Sequence, residues 1–316
     1  MLYKIYYYNS DFRKAISIFG GGKRMTQEFG KWPESSWTSD KIDWKAAKAI
    51  VAGVDVGTTS AQAAVFCDGE LFGWANIRVG ASFKKAADEV LAKALGSSGL
   101  TADKIGTIAA TGFARDNAGY AAKKLDEVHC HAKGARFMYG PSVTTVVDLG
   151  GQTMKAIRLY EWDRVRDIAM NDKCATGQGR NIEQMCNLLQ VPITEIGAKS
   201  LEVKADPEPV STTCYNFART ETMGQFRPEF RAEPLTENEV YATHMLAVAW
   251  RMLGAIGKMQ PLEPGEIMVY PELGFTGGLA KNPGITKRIE KELRVTALTS
   301  EYDPMLAGAI GAALLA

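Results

Sequence analysis

The chain has 316 residues, a 46% hydrophobic fraction and a formal net charge of +1 from 37 basic and 36 acidic side chains. That length predicts one large or two medium domains with a real core. So even a charge balance, with no polybasic run, gives no basis for nucleic acid or an anionic membrane surface as partner, and no stretch reaches the roughly 18 apolar residues of a membrane span.

Residues 1–49 read as an N-terminal extension. "YYY" and "GGGKR" match no helix or strand period, and Met25 opens a polar lead-in. Residues 1–24 are therefore either upstream of the true start at Met25 or an ordinary tail. There is no secretory h-region, and the five cysteines are an odd number, which argues against a disulfide framework; a cytoplasmic protein is expected. Trp32, Trp37 and Trp44 mark either a docking segment or a stretch folded back on its own domain.

From Ile50, "AIVAGVDVGTTSAQAAVFCDGELFGWANIRV" predicts strand, glycine turn, strand, Asp68-Gly69 turn, strand. "SFKKAADEVLAKALG" predicts an amphipathic helix closed by Gly96. "KIGTIAATGF" is a strand entering a glycine turn, followed by a helical stretch through Lys133. The pattern then restarts. "TTVVDLGGQTMKAIRLYEWDRVRDIAM" is again strand, Asp-x-Gly-Gly turn, strand, turn, strand. Residues 50–79 and 143–170 thus resemble an internal duplication and predict two related α/β domains, 50–142 with 300–316 and 143–299. Residues 226–239 read as a surface loop between two helices. "GEIMVYPELGFTGGLAKNPGITKRIEKEL" predicts strand, Gly-Gly turn, helix. "RVTALTSEYDPMLAGAIGAALLA" predicts a strand and a buried terminal helix.

The glycine turns carry the first chemical signal. In "GVDVGTTSAQ", Gly57 lets the chain turn, and Thr58, Thr59 and Ser60 offer hydroxyl and N–H donors to phosphate oxygens. Asp55, at the end of an apolar strand, needs a partner, and a hydrated Mg²⁺ is suitable. Asp148, Gly150, Gly151 and Gln152 repeat the arrangement, so two facing turns can grip a polyphosphate. Gly277 and Gly278 in "FTGGLAKN" suit close approach to a flat adenosine. In this order the residues resemble the acetate and sugar kinase, Hsp70 and actin superfamily. That resemblance implies two ribonuclease-H-like domains with ATP and Mg²⁺ in the cleft between them, and Asp55, Asp148 and Gln152 as its catalytic groups.

The cysteines carry the second signal. Ile182, Met185, Cys186 and Leu189 share a buried helical face, so Cys186 reads as core. Cys174 and Cys214 each stand before a predicted helix start, where negative charge is stabilised. Neither belongs to a C-x-x-C pair. One chain lacks four thiolates for an iron–sulfur cluster or structural zinc, and two copies across a two-fold interface would supply them.

The segments "AATGFARDN", "CHAKGARF", "VVDLGGQTMK", "MNDKCATGQGR", "STTCYNFARTE", "FTGGLAKNPG" and "AGAIGAALLA" resemble the ATPase components of benzoyl-CoA reductase and the activators of 2-hydroxyacyl-CoA dehydratases, from about residue 51 to the end. The resemblance implies a dimer of similar or identical chains with a [4Fe–4S] cluster between them, ligated by Cys174 and Cys214. It further implies ATP-driven electron transfer from a ferredoxin to catalytic reductase subunits. Two departures stand out: Gln62 where relatives often have lysine, and Thr153 where they often have aspartate. With the long lead-in and the 226–239 insertion, they favour the larger ATPase subunit of a benzoyl-CoA reductase over a dehydratase activator. A small-molecule kinase and a zinc-stapled dimerisation module are the rivals from other classes. His129, Cys130 and His131 have spacing that favours a structural role over a metal site. Cys67 reads as inert, His244 as a core or interface histidine, and Arg219 with Glu221 as either a relay pair or a solvated one.

Overall fold

The computed structural model describes residues 28–160, 164–171, 177–225, 233–259 and 272–316. The first sheet contains β1 (Ser35–Thr38), β2 (Ile50–Val56), β3 (Ser60–Cys67), β4 (Glu70–Arg78), β5 (Thr107–Thr111) and β6 (Lys123–Lys124), in the order β1-β4-β3-β2-β5-β6. The second contains β7 (Thr145–Leu149), β8 (Met154–Leu159), β9 (Val165–Met170) and β10 (Leu273–Thr276), in the order β10-β7-β8-β9. The duplication is visible here. In each sheet an antiparallel three-stranded meander has a parallel strand added beside its first member, β5 on β2 and β10 on β7.

The local chemistry explains these elements. Asp68 and Gly69 both have positive φ, 49° and 86°, as a two-residue hairpin turn requires. The Asp68 carboxylate accepts the Lys48 and Ala49 N–H groups, which ties the lead-in to the hairpin. Helix α1 (Phe83–Leu95) is capped by Ser82 and ended by Gly96, and its Ala86, Ala87, Val90, Leu91, Ala94 and Leu95 are buried.

Helix α2 (Glu127–Tyr139) starts later than the sequence suggests. Residues 115–117 form a single 3₁₀ turn, and β6 precedes the Asp126 N-cap. Helices α3 (Gln178–Leu189), α4 (Ile193–Lys199), α5 (Tyr215–Gln225), α6 (Glu237–Ile256) and α7 (Pro283–Leu293) follow, with α8 (Ala307–Leu314) at the end. Residues 295–299 are not a strand; Leu298 makes a single backbone bond to Leu273. The expected loop at 226–239 falls partly on 226–232, outside the described residues.

Two cores result. One lies between α1 and the first sheet, the other among β7, β8, β10, α3, α6 and α7. Helix α8 lies on β2, β3 and β5 and against α2, and α2 in turn touches β7, β8 and β10. The α2–α8 pair is therefore the layer shared by the two lobes. Its helices approach closely because small residues meet: a Cβ on Gly311 of α8 would run into the Cys130 carbonyl of α2. Among the described residues no helix is long and apolar enough to cross a membrane.

Candidate functional site

The two duplicated turns are closed by the same bond. Gly57 N–H donates to Ser60 O at 3.0 Å, and Gly150 N–H donates to Thr153 O at 3.1 Å. The turns face each other closely enough that a Cβ on Gly151 would fall 2.3 Å from Thr59 Oγ1. Asp55, Gly57, Thr58, Thr59, Ser60, Asp148, Gly150, Gly151, Gln152, Gly277 and Gly278 all line one cleft at this junction. Gln152 is exposed at its turn, and Gly277, with φ of 85°, turns the chain out of β10.

The cleft floor contains groups that the sequence reading did not place there. His131, on α2, lies between the two carboxylates. Its Nε2 is 3.9 Å from Asp55 Oδ2, its Nδ1 is 3.6 Å from Asp148 Oδ1, and Nδ1 is 3.2 Å from Thr276 Oγ1. Thr276 Oγ1 donates to Asp148 Oδ1 at 3.2 Å, so Nδ1–H is the donor to Thr276 and Nε2 faces Asp55. His131 is thus a cleft residue, not merely a structural one. Its neighbours diverge: His129 is exposed and pairs with Asp126, and Cys130 is buried with its thiol pushed up to about 12 by burial. Glu127, four residues before His131 on the same helical face, also lines the cleft. The i, i+4 spacing of Glu127 and His131 on one helical face was the available signal.

Lys155 is the second such group. It is almost fully buried and donates to Asp148 Oδ2 at 3.0 Å and Thr153 Oγ1 at 3.0 Å, with Glu127 Oε1 at 3.3 Å. Burial alone would lower its pKa, but the carboxylates of Asp148 and Glu127 outweigh this and raise it. For Asp148, burial pushes the carboxyl up, yet His131 and Lys155 bring the net below the ordinary value. For Asp55 burial is the largest influence and, with Glu127 and Asp148 adding to it, outweighs the opposing pull of His131 and Lys155, raising its pKa to about 6. Across the ladder from Asp55 stands Gln62, which donates to Asn76 Oδ1 at 2.7 Å. Thr153 is a hydroxyl partner for Lys155 in place of a second carboxylate. A single carboxylate poised near neutrality beside a fixed one suits a water-bridged Mg²⁺ and proton handling at a polyphosphate.

Cys214 immediately precedes α5, with Ala218 N–H donating to its carbonyl. Its amide donates to Ser211 Oγ at 3.3 Å, and Arg251, whose pKa burial lowers to about 10, donates to Ser211 O. Among the described cysteines it alone is not buried. Cys67 is buried at the end of β3, and Cys186 is buried in α3 with its thiol pushed up to about 12 by burial. Cys214 therefore fits an outward-facing metal ligand and the others do not. Cys174 lies outside the described residues. Glu221 accepts Ser211 N–H at 2.6 Å, so it braces the Cys214 loop. His244 is a core residue, bonded to Thr222 and with its pKa lowered by burial to about 4.

The fold and the cleft define a two-domain ATPase of the actin, Hsp70 and sugar-kinase class. More particularly, residues 52–316 match the BadF/BadG/BcrA/BcrD ATPase family, and the chain belongs to it. It is 34% identical over 264 residues to the activator of lactoyl-CoA dehydratase of Anaerotignum propionicum, covering 84% of this chain and 96% of that one. It is 30% identical over 278 residues to a subunit of the benzoyl-CoA reductase of Thauera aromatica, covering 84% and 92%. The activator of the 2-hydroxyisocaproyl-CoA dehydratase from Clostridium difficile, solved with bound ADPNP, superposes with a TM-score of 0.73 at 28% identity, covering 84% and 94%.

Proposed function

We propose that this protein is the ATP-hydrolysing activator of a 2-hydroxyacyl-CoA dehydratase, converting ATP hydrolysis into delivery of a low-potential electron to a catalytic partner. The observation that carries this reading is the meeting of two duplicated aspartate turns on one buried His131–Lys155 floor, in a chain that belongs to an ATPase family. Asp55 would hold Mg²⁺, the Thr58–Ser60 and Gly150–Gln152 turns would bind the phosphates, and Asp148 with Lys155 fixes the charge of the floor. Gln152, exposed at the cleft, orients the attacking water.

Cys214 and Cys174 would ligate a [4Fe–4S] cluster with the same pair from a second chain, and the cluster supplies the electron. Two features support a seam there. Phe217 is 64% exposed on the helix that begins after Cys214, and Trp250 is 51% exposed on α6 beside it. A ferredoxin is the donor by family resemblance.

The order of the two readings reverses the expectation from Gln62 and Thr153, because a dehydratase activator is the more similar relative and the reductase component the less similar one. A benzoyl-CoA reductase component is the second reading. Anaerobic purification from the host tests it: recovery of the chain in a complex of fixed stoichiometry with catalytic reductase subunits favours the second reading. The decisive experiment is Asp148→Asn in anaerobically purified protein, with ATPase and electron delivery measured together. Both rates fall if they are coupled; full electron delivery with lost ATPase refutes the reading, and phosphate transfer to a small-molecule hydroxyl supports a kinase instead.

A further inference from the structure

The cleft does not end at the aspartate turns. Past Thr59, Ser60, Gly151, Gly278 and Met305 it opens into a second chamber. The two chambers differ in chemistry. The first holds Asp55, His131, Asp148 and Lys155, and the second has an aromatic and apolar wall of Trp32, Pro33, Ile77 and Leu279 facing the polar Glu34, Asn76 and the Arg78–Glu183 ion pair. The first chamber suits a metal-bound polyphosphate, and an aromatic wall with a few polar groups beside it suits a flat heterocycle.

Trp32 comes from outside the family match, which begins at residue 52. It sits on a strap anchored in both lobes. On the second lobe, Ile193 N–H donates to Phe29 O at 2.8 Å, Gly30 N–H donates to Asn187 Oδ1 at 3.0 Å, and Phe29 and Trp32 pack on the core. On the first lobe, Glu34 accepts from Arg78 N–H at 3.1 Å and from Lys93 Nζ at 2.6 Å, and β1 then pairs with β4. Between these anchors the indole Nε1 lies 3.9 Å from where a Cβ on Gly278 would stand, and Lys281 Nζ is 5.2 Å from the ring centroid. Gly278 belongs to the turn that the sequence assigns to adenosine.

We propose that this strap completes the nucleotide site, with Trp32 as the aromatic wall against the nucleobase; the inference rests on the reading that the cleft binds ATP. The strap's position is fixed by its own anchors, so the wall is preformed. Because those anchors lie in both lobes, base binding also bears on an element that spans the hinge.

The test is calorimetric titration of the full chain with Mg·ATP and, separately, with Mg·tripolyphosphate, which has the phosphates but no base. Trp32→Ala should weaken ATP binding roughly tenfold, the scale of one lost aromatic stack, and leave tripolyphosphate binding unchanged. Trp32→Leu, which keeps apolar packing on the second core, should behave like Trp32→Ala, and Trp32→Phe should bind ATP nearly as wild type does. ATP affinity in Trp32→Leu equal to wild type overturns the inference, and tighter affinity overturns it too, showing that the indole plugs the chamber instead. Equal loss of ATP and tripolyphosphate also overturns it, since Trp32 would then act only through the fold. A wild-type chain that binds neither ligand removes the ATP reading itself, and this inference with it.

Discussion

Lys155 stands directly opposite Asp148 in the β7–β8 ladder, with its ammonium 3.0 Å from the carboxylate. In the duplicated β2–β3 ladder the same relationship joins Asp55 to Gln62. The duplication has thus been kept in backbone and broken in charge. One carboxylate is neutralised by a fixed cation, and the other is dominated by burial. That asymmetry separates their proton affinities and gives the cleft one permanent and one adjustable negative charge.

Replacing Lys155 by Met should leave Asp148 and Glu127 without their buried cation. Loss of one partner from a buried ion pair costs about 3–5 kcal/mol. Urea denaturation should show a lower midpoint with an unchanged slope, and ATPase should fall with it.

The proton affinity of Asp55 predicts opposite pH trends for the free and liganded protein. Its folded pKa of about 6 lies above its ordinary value of 3.8. Its stabilising contribution is therefore fully present below the unfolded value and lost as pH rises through about 6. Asp55→Asn should remove this loss and make the ligand-free protein more stable at pH 7, by on the order of 3 kcal/mol. On the proposed role of Asp55, Mg·ATP binding uses its carboxylate, so affinity should fall as pH drops below about 6 in the wild type. Calorimetry across pH 5–8 should show that step, and Asp55→Asn should lack it.

Gly308→Ala tests the positioning of Asp55. A Cβ there would stand 2.0 Å from Asp55 Oδ2. Asp55 must swing away or α8 must shift, and overpacking of this kind costs about 1–3 kcal/mol. ATPase should drop at least tenfold while far-UV circular dichroism stays the same; unchanged activity would show that the carboxylate need not be where it stands.

Cys214→Ser separates the cluster from the cleft. Wild-type protein purified without oxygen should carry iron and a broad visible absorption, and the variant should lack both while ATP binding measured by calorimetry persists. Retained iron at the wild-type level would exclude Cys214 as a ligand.

Much of this molecule was legible as sequence. The Asp68-Gly69 hairpin, the cap and stop of α1, and both β-meanders follow from periodicity and turn chemistry, which act over a few residues. The glycine turns around Asp55, Asp148 and Gly277 were readable because a tight turn next to a ligand demands glycine. Local signals misplaced other features. The stretch before α2 reads as helix, but it holds a 3₁₀ turn and the short β6, whose pairing partner β5 lies elsewhere in the chain. Residues 295–299 read as a strand by propensity, yet they make a single bond to β10.

The cleft floor was decided by tertiary structure. Lys155 ends the segment VVDLGGQTMK with no local signal to single it out, and only the ladder register sets it against Asp148. His131 reads as structural because it and His129, two residues apart, cannot share a helix face; its neighbours in space, Asp55, Asp148 and Thr276, come from both lobes. Sequence thus determined which segments turn and which bury, since those preferences belong to single residues and their near neighbours. Which charges meet was settled by packing, because Coulomb interactions and desolvation depend on distances that exist only once the two sheets close on the shared α2–α8 layer.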